Sequence, residues 1–178
     1  IAKSHKFPNI DCLVEDDIWR LAFSGNTLSR PITPKLRQHD TRLKWLNSEK
    51  IDVMVCAGWL DSFGYELPPQ EGEYWSCFIN EHLARACETT HRYAPLCSVP
   101  LQNGKLASKV LGEAIASGFH GAMIGTQPKG TQGNLDDPSL VPFWEMASEK
   151  KATIYIHPMF GCGDPRMNDF GLTNTIGR

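Results

Sequence analysis

From residue 50 onward the chain alternates between two rhythms. Short apolar runs give way to stretches in which apolar residues return every three or four positions. Residues 51–56 (Ile-Asp-Val-Met-Val-Cys) read as a strand. A loop rich in Gly and Pro follows, over 57–72. The spacing of Trp75, Phe78, Ile79, Leu83, Ala86 and Cys87 then predicts a helix over 73–91. Residues 94–99 form a second strand-like run, stopped by Pro100. Leu106, Val110, Leu111, Ala114 and Ile115 share one face of a helix over 105–117, which Gly118 ends. Residues 121–125 are a third strand, small and apolar on both faces. Asp136 or Asp137 opens a further helix with Pro138 in its first turn. Its inner face carries Val141, Trp144, Met146 and Ala147. Residues 152–157 close the series as another strand, read as buried.

Short buried strands alternating with amphipathic helices predict parallel βαβ units. Helix-to-strand links are short, as at 117–120. Strand-to-helix links are long, at 57–72 and 126–136. Long loops at the carboxyl ends of parallel strands are where such folds place their chemistry. The first forty residues are less regular. A short helix is predicted over 16–23, a proline-bounded loop over 29–34, and a helix over 40–48 that packs Leu43 and Leu46. Trp45 is expected in the core or an interface.

Composition adds limits. The 178 residues carry 18 basic and 20 acidic side chains, a net charge of -2, with no block of either sign. That gives no footprint for nucleic acid and points to a small-molecule partner. No run approaches the roughly 18 apolar residues of a membrane span, and residues 1–6 lack the apolar core of a signal peptide. The six cysteines are irregularly spaced without C-x-x-C. They read as reduced thiols in a cytoplasmic protein without a disulfide frame. One domain over 1–178 is expected.

Among the histidines, His157 stands apart. It ends a strand, and Pro158 biases it towards extended backbone. A histidine there faces the loop-lined end of the sheet, where neutral imidazole suits a divalent metal; the alternative role is a hydrogen-bonded strand cap. His82 and His91 read as solvated, and His120 sits at the opposite end of its strand. His5, among lysines, reads from its surroundings as an exposed residue. Trp59, Phe63 and Tyr65 follow the first strong strand, where they either wall a pocket or pack the loop. Signatures for phosphate-binding loops, dinucleotide sites and nucleophile elbows are absent.

Several ordered blocks resemble the amidohydrolase-related family, whose best-known branch is the aminocarboxymuconate-semialdehyde decarboxylases. They are Asp40 to Val55, Tyr93-Ala-Pro-Leu-Cys-Ser-Val-Pro-Leu-Gln102, Gly121-Ala-Met-Ile-Gly-Thr126, Asn134-Leu-Asp-Asp-Pro138 with Pro142-Phe-Trp144, and Ala152-Thr-Ile-Tyr-Ile-His-Pro158. The resemblance implies an α/β fold of the (β/α)8 TIM-barrel type with one divalent metal, zinc by expectation. A full barrel needs roughly 250 residues, so about the first five βα units are expected here, with the family's sixth-strand His and eighth-strand Asp beyond Arg178. The resemblance makes His157 the fifth-strand ligand. It sets Lys3-Ser4-His5 where a first-strand His-x-His belongs, so His5 becomes a second ligand and Lys3 replaces another. The end of the third strand in this series carries Gly125-Thr126-Gln127 and no lysine before Lys129, which fits a mononuclear site. Trp59, Phe63, Met159 and Phe160 are expected to line the substrate pocket. The implied activity is non-oxidative decarboxylation of an unsaturated or aromatic carboxylic acid. The rivals are lactone or ester hydrolysis on the same scaffold and an inactive paralogue serving as assembly partner. A homodimer is a further expectation from the family.

Overall fold

The computed structural model describes residues 7–129, 133–159 and 171, together with the backbone of 2–4. It opens with an antiparallel sheet, ordered β1 (Ala2–Ser4), β2 (Phe7–Glu15) and β3 (Ile18–Phe23). Glu15 pairs with Ile18, so the turn between β2 and β3 has two residues. Those residues, Asp16 and Asp17, have φ of 48° and 61°. Two consecutive left-handed residues make the turn whose twist suits a hairpin, and Asp tolerates that conformation. The helix predicted over 16–23 is therefore a hairpin turn and a strand. The two aspartates start a turn here rather than cap a helix. Phe7, Ile10 and Phe23 pack inward on Leu67 and Trp75 as a small core.

Two short helices follow, α1 (Pro34–Arg37) and α2 (His39–Ser48). Leu46 of α2 is fully buried, whereas Trp45 is exposed, outside the core half of the core-or-interface expectation.

The parallel rhythm then appears as predicted. Its strands are β4 (Met54–Cys56), β5 (Tyr93–Pro95), β6 (Gly121–Gly125) and β7 (Thr153–His157). β4 pairs in parallel with β5, and β6 with β7. Cys97, just beyond β5, joins the two pairs: its N–H donates to Gly121 O (2.8 Å) and its carbonyl accepts from Met123 N (3.0 Å). The four strands thus lie side by side in chain order. Helices α3 (Pro69–Glu88), α4 (Gly104–Ala116) and α5 (Val141–Glu149) make the crossovers. Asn103 caps α4 through Leu106 N (3.1 Å). Asp137 caps the 3-10 turn Pro138–Leu140 that leads into α5. Leu101, Leu111, Ile124, Leu140 and Phe143 fill the main core with no measurable exposure.

β7 departs from the buried strand the sequence suggested. Tyr155 is 53% exposed and Ile156 47%. On the far side of the array Val55 of β4 is 63% exposed. Both strands are outermost, and among the described residues no strand pairs with their outer edges. An apolar run bounded by polar residues reads alike whether one side of the strand is covered or both.

Candidate functional site

The loop after β4 folds back over the carboxyl ends of β6 and β7. Four bonds hold it there. Trp75 Nε1 of α3 donates to Ser62 O in the 3-10 turn Leu60–Ser62 (2.7 Å). Gln102 Nε2 reaches Leu67 O (3.2 Å) and Gly64 O (3.3 Å). Gly125 N, the last amide of β6, donates to Tyr65 Oη (3.2 Å). The last bond matters most for position, because Gly125 is the register partner of His157. Tyr65 thereby sits beside the strand end that carries the histidine. Phe63 stacks on Tyr65 with ring centres 5.2 Å apart. Burial lifts the Tyr65 phenol well above its ordinary range, and the Gly125 N–H only partly offsets this. The hydroxyl stays protonated and is a hydrogen-bond donor.

A cavity of about 210 Å³ opens against this loop. Its walls come from three separate stretches of chain. Leu21, Phe23 and the segment Asn26, Thr27 and Ser29 come from β3 and its continuation. Leu60, Asp61, Phe63 and Tyr65 come from the loop after β4. Met159 comes from just beyond β7, where Met159 N donates to Thr126 Oγ1 (3.2 Å). The lining is mainly apolar with a few polar groups, the usual make-up of a small-molecule site.

At the rim, Arg30 grips Asp61 with both ends of its fork, Nε to Oδ2 at 2.9 Å and Nη2 to Oδ1 at 2.8 Å. Its backbone N–H adds a third bond to Oδ2 (3.1 Å). The guanidinium lies over the Trp59 ring, 5.1 Å from its centre. This cluster ties the segment after β3 to the loop after β4. Lower down, Asn9 ties β2 to the first turn of α3, with its amide N–H (3.0 Å) and Nδ2 (2.6 Å) on the Glu71 carboxylate.

His157 is half-buried at the end of β7. Its Nδ1 lies 2.8 Å from Pro158 O. A carbonyl oxygen only accepts, so Nδ1 carries the proton. In the neutral ring the lone pair is then on Nε2, the arrangement in which a histidine meets a metal while a backbone carbonyl orients it. Among the described residues no three His, Cys, Asp or Glu side chains converge on one point that could hold a metal ion.

Of the residues expected at the site, Phe63 and Met159 line the cavity. Trp59 flanks it under Arg30. Phe160 and His5 lie outside the described residues. The strand before His5, Ala2–Ser4, pairs antiparallel with β2, with Lys3 opposite Asp11. Arg30, Asp61 and the 26–29 segment went unnoticed in the sequence. The one signal that could have revealed them was the Asp16-Asp17 turn, which folds their segment back towards the sheet.

No family model matches the chain. A curated relative, 2-amino-3-carboxymuconate-6-semialdehyde decarboxylase of Dictyostelium discoideum, is 32% identical over 140 residues, which are 78% of this chain and 38% of that protein. Among solved structures, 5-carboxyvanillate decarboxylase from Novosphingobium aromaticivorans superposes with a TM-score of 0.68 at 22% identity, covering 77% of this chain and 40% of that one. That enzyme was solved with manganese and 4-hydroxy-3-methoxy-5-nitrobenzoic acid. The 2,6-dihydroxybenzoate decarboxylase from Rhizobium gives 0.64 at 23% identity, covering 76% and 43%. The fold likeness is to amidohydrolase-type proteins. Over 78% of its length the chain resembles an aminocarboxymuconate-semialdehyde decarboxylase, and it shares its fold with the solved decarboxylases. It spans about two-fifths of the length of the relatives it matches.

Proposed function

We propose that this chain carries the pocket and one metal ligand of a non-oxidative decarboxylase acting on an unsaturated or aromatic carboxylic acid. In this reading β4 to β7 are the second to fifth strands of a (β/α)8 barrel. The observation that carries it is the His157 ring, held by Pro158 O so that Nε2 is the free ligating atom at a strand end. The relatives named above act on acids of this class, which supports the substrate type.

The donor set among the described residues fits part of a divalent site, with His157 as its imidazole. Zinc is the expectation from the family resemblance, and manganese is the ion in 5-carboxyvanillate decarboxylase. A divalent ion held by His157 would supply Lewis acidity to the substrate. The chain's own residues do the rest of the holding. Phe63, Leu60 and Met159 enclose an apolar ring and exclude water from it. Tyr65 offers a neutral O–H to a substrate oxygen. Arg30, paired with Asp61, fixes the rim of the cavity. Loss of CO2 leaves a carbon that takes up one proton.

The test uses the full-length protein. CO2 release is followed on a panel of ortho-hydroxylated aromatic acids and unsaturated amino-dicarboxylates, with lactone hydrolysis run in parallel. Metal content is measured for wild type and His157→Ala. Decarboxylation that falls together with metal content in His157→Ala supports the proposal. Metal content unchanged by that substitution, or ring opening without CO2 release, overturns it.

A further inference from the structure

Away from the pocket, two cysteines meet. Cys56 is the last residue of β4, and Cys87 lies in the final turn of α3. Their sulfurs are 3.8 Å apart, and both are half-buried free thiols. An S–S bond is about 2.0 Å long, so bonding asks the two sulfurs to approach by less than ~2 Å. The remaining described cysteines are placed differently. Cys97 is sealed in the core, Cys77 is exposed on α3, and Cys12 belongs to the antiparallel sheet. Cys87 also borders a second cavity, about 300 Å³, with His91 and His120 at the amino ends of the parallel strands. That cavity gives a small molecule a way to its sulfur.

We propose that Cys56 and Cys87 form a reversible disulfide, with a low-molecular-weight disulfide of the glutathione class as oxidant. Cys87, the sulfur on the cavity, loses its proton to water and attacks one sulfur of glutathione disulfide. The S–S bond of glutathione breaks, and one glutathione leaves as thiolate. Cys56 then gives up its proton and attacks the Cys87 sulfur, forming the protein disulfide and expelling the second glutathione. Two protein thiols are oxidised and one disulfide is reduced to two thiols. Burial raises both protein thiols, Cys56 to about 12, while the contact with Cys56 eases Cys87 downward. That ordering suits Cys87 as the first to react. The bond closes a covalent ring from residue 56 to residue 87. Inside it lie the whole pocket-forming loop and α3, so the redox state of this pair sets how freely the loop can leave the strand ends.

The experiment uses the full-length protein carrying Cys77→Ser. Trypsin cuts after Lys50, Arg85 and Arg92, so residues 51–85 and 86–92 then each hold one cysteine. Reduced protein is equilibrated across glutathione redox buffers, quenched in acid, alkylated and mapped by mass spectrometry. The expected result is a 51–85/86–92 linked pair that grows with oxidising ratio and vanishes on reduction. Cys56→Ser is expected to stop at a glutathione adduct on Cys87. Glutathione adducts without the linked pair in the Cys56-containing protein, or linkage of Cys56 to any other cysteine, overturn the proposal. So does the absence of any modification at the most oxidising ratio.

Discussion

Asn80 is the joint that holds α3 against the parallel sheet. It is buried mid-helix, and its amide spans both polar groups of one backbone residue. Nδ2 donates to Ser98 O at 2.9 Å, and Oδ1 accepts from Ser98 N at 2.7 Å. Ser98 directly follows Cys97, the residue that bridges the two halves of the sheet. Asn80→Ala removes both partners at once. A buried backbone group left unpaired costs about 1–3 kcal/mol, so two cost about 2–6 kcal/mol. A water entering the vacated space recovers part of this, and the expected loss is about 3 kcal/mol. For a domain of this size that lowers Tm by about 6–12 °C. Urea unfolding, followed by circular dichroism and by tryptophan fluorescence, measures it against wild type. Ser98→Ala is the control, because it leaves the Ser98 backbone bonds in place; its expected cost is under about 1 kcal/mol. If Asn80→Ala proves no more costly than Ser98→Ala, the joint is not where the stability lies and the reasoning fails.

Gly121 begins β6, and a Cβ there would stand 1.8 Å from Thr153 O and 2.6 Å from Thr153 N, all backbone of the neighbouring region. Gly121→Ala is expected to cost more than about 3 kcal/mol or to yield no folded protein. Gly118→Ala meets open space and carries only the penalty of a positive φ, about 1 kcal/mol; thermal melts of equal depth for the two would contradict this. Trp75→Phe keeps an aromatic ring in the small core but loses the bond to Ser62 O. It should cost about 1–2 kcal/mol and speed proteolysis within the 57–68 loop; unchanged cleavage there argues against the anchor. Cys97 is fully buried, and burial raises its thiol from about 9 to about 12. Between those values the folded chain keeps a proton that the unfolded chain releases. Its contribution is therefore complete below pH 9 and is lost as pH rises towards 12, by about 1.4 kcal/mol per unit. Urea midpoints at pH 8 and pH 10.5 should converge more in Cys97→Ala than in wild type, and an equal drop in both proteins would be the contrary result.

The parallel half of the molecule was legible because its signals are local and redundant. α4 shows them together: apolar residues on one face, Asn103 as its cap and Gly118 after its end, each agreeing with the others. The antiparallel meander was not legible. Ile18 to Phe23 alternates imperfectly, with Arg20 facing Leu13 across the hairpin, and the decisive signal is a backbone angle at Asp16 and Asp17 that many other roles of Asp would mimic. Part of the site shares that fate. Phe63 follows a strand and Met159 came with the family resemblance, and both line the cavity. Arg30 and Asp61 are 31 residues apart and meet only because the meander folds back. The exposure of Tyr155 depends on what lies beside β7, which the residues of that strand do not encode.

The walls of the pocket differ in what they are free to change. Met159 is bound to Thr126, and Tyr65 to Gly125, so these two are committed to the strand ends. Asn26, Thr27 and Ser29 belong to a stretch that contributes nothing to the parallel sheet. Substitutions in that stretch can reshape the cavity without disturbing the strand that carries His157. The cavity wall thus divides along the chain, so its shape can be rewritten at three residues of a hairpin extension while the strand ends stay as they are.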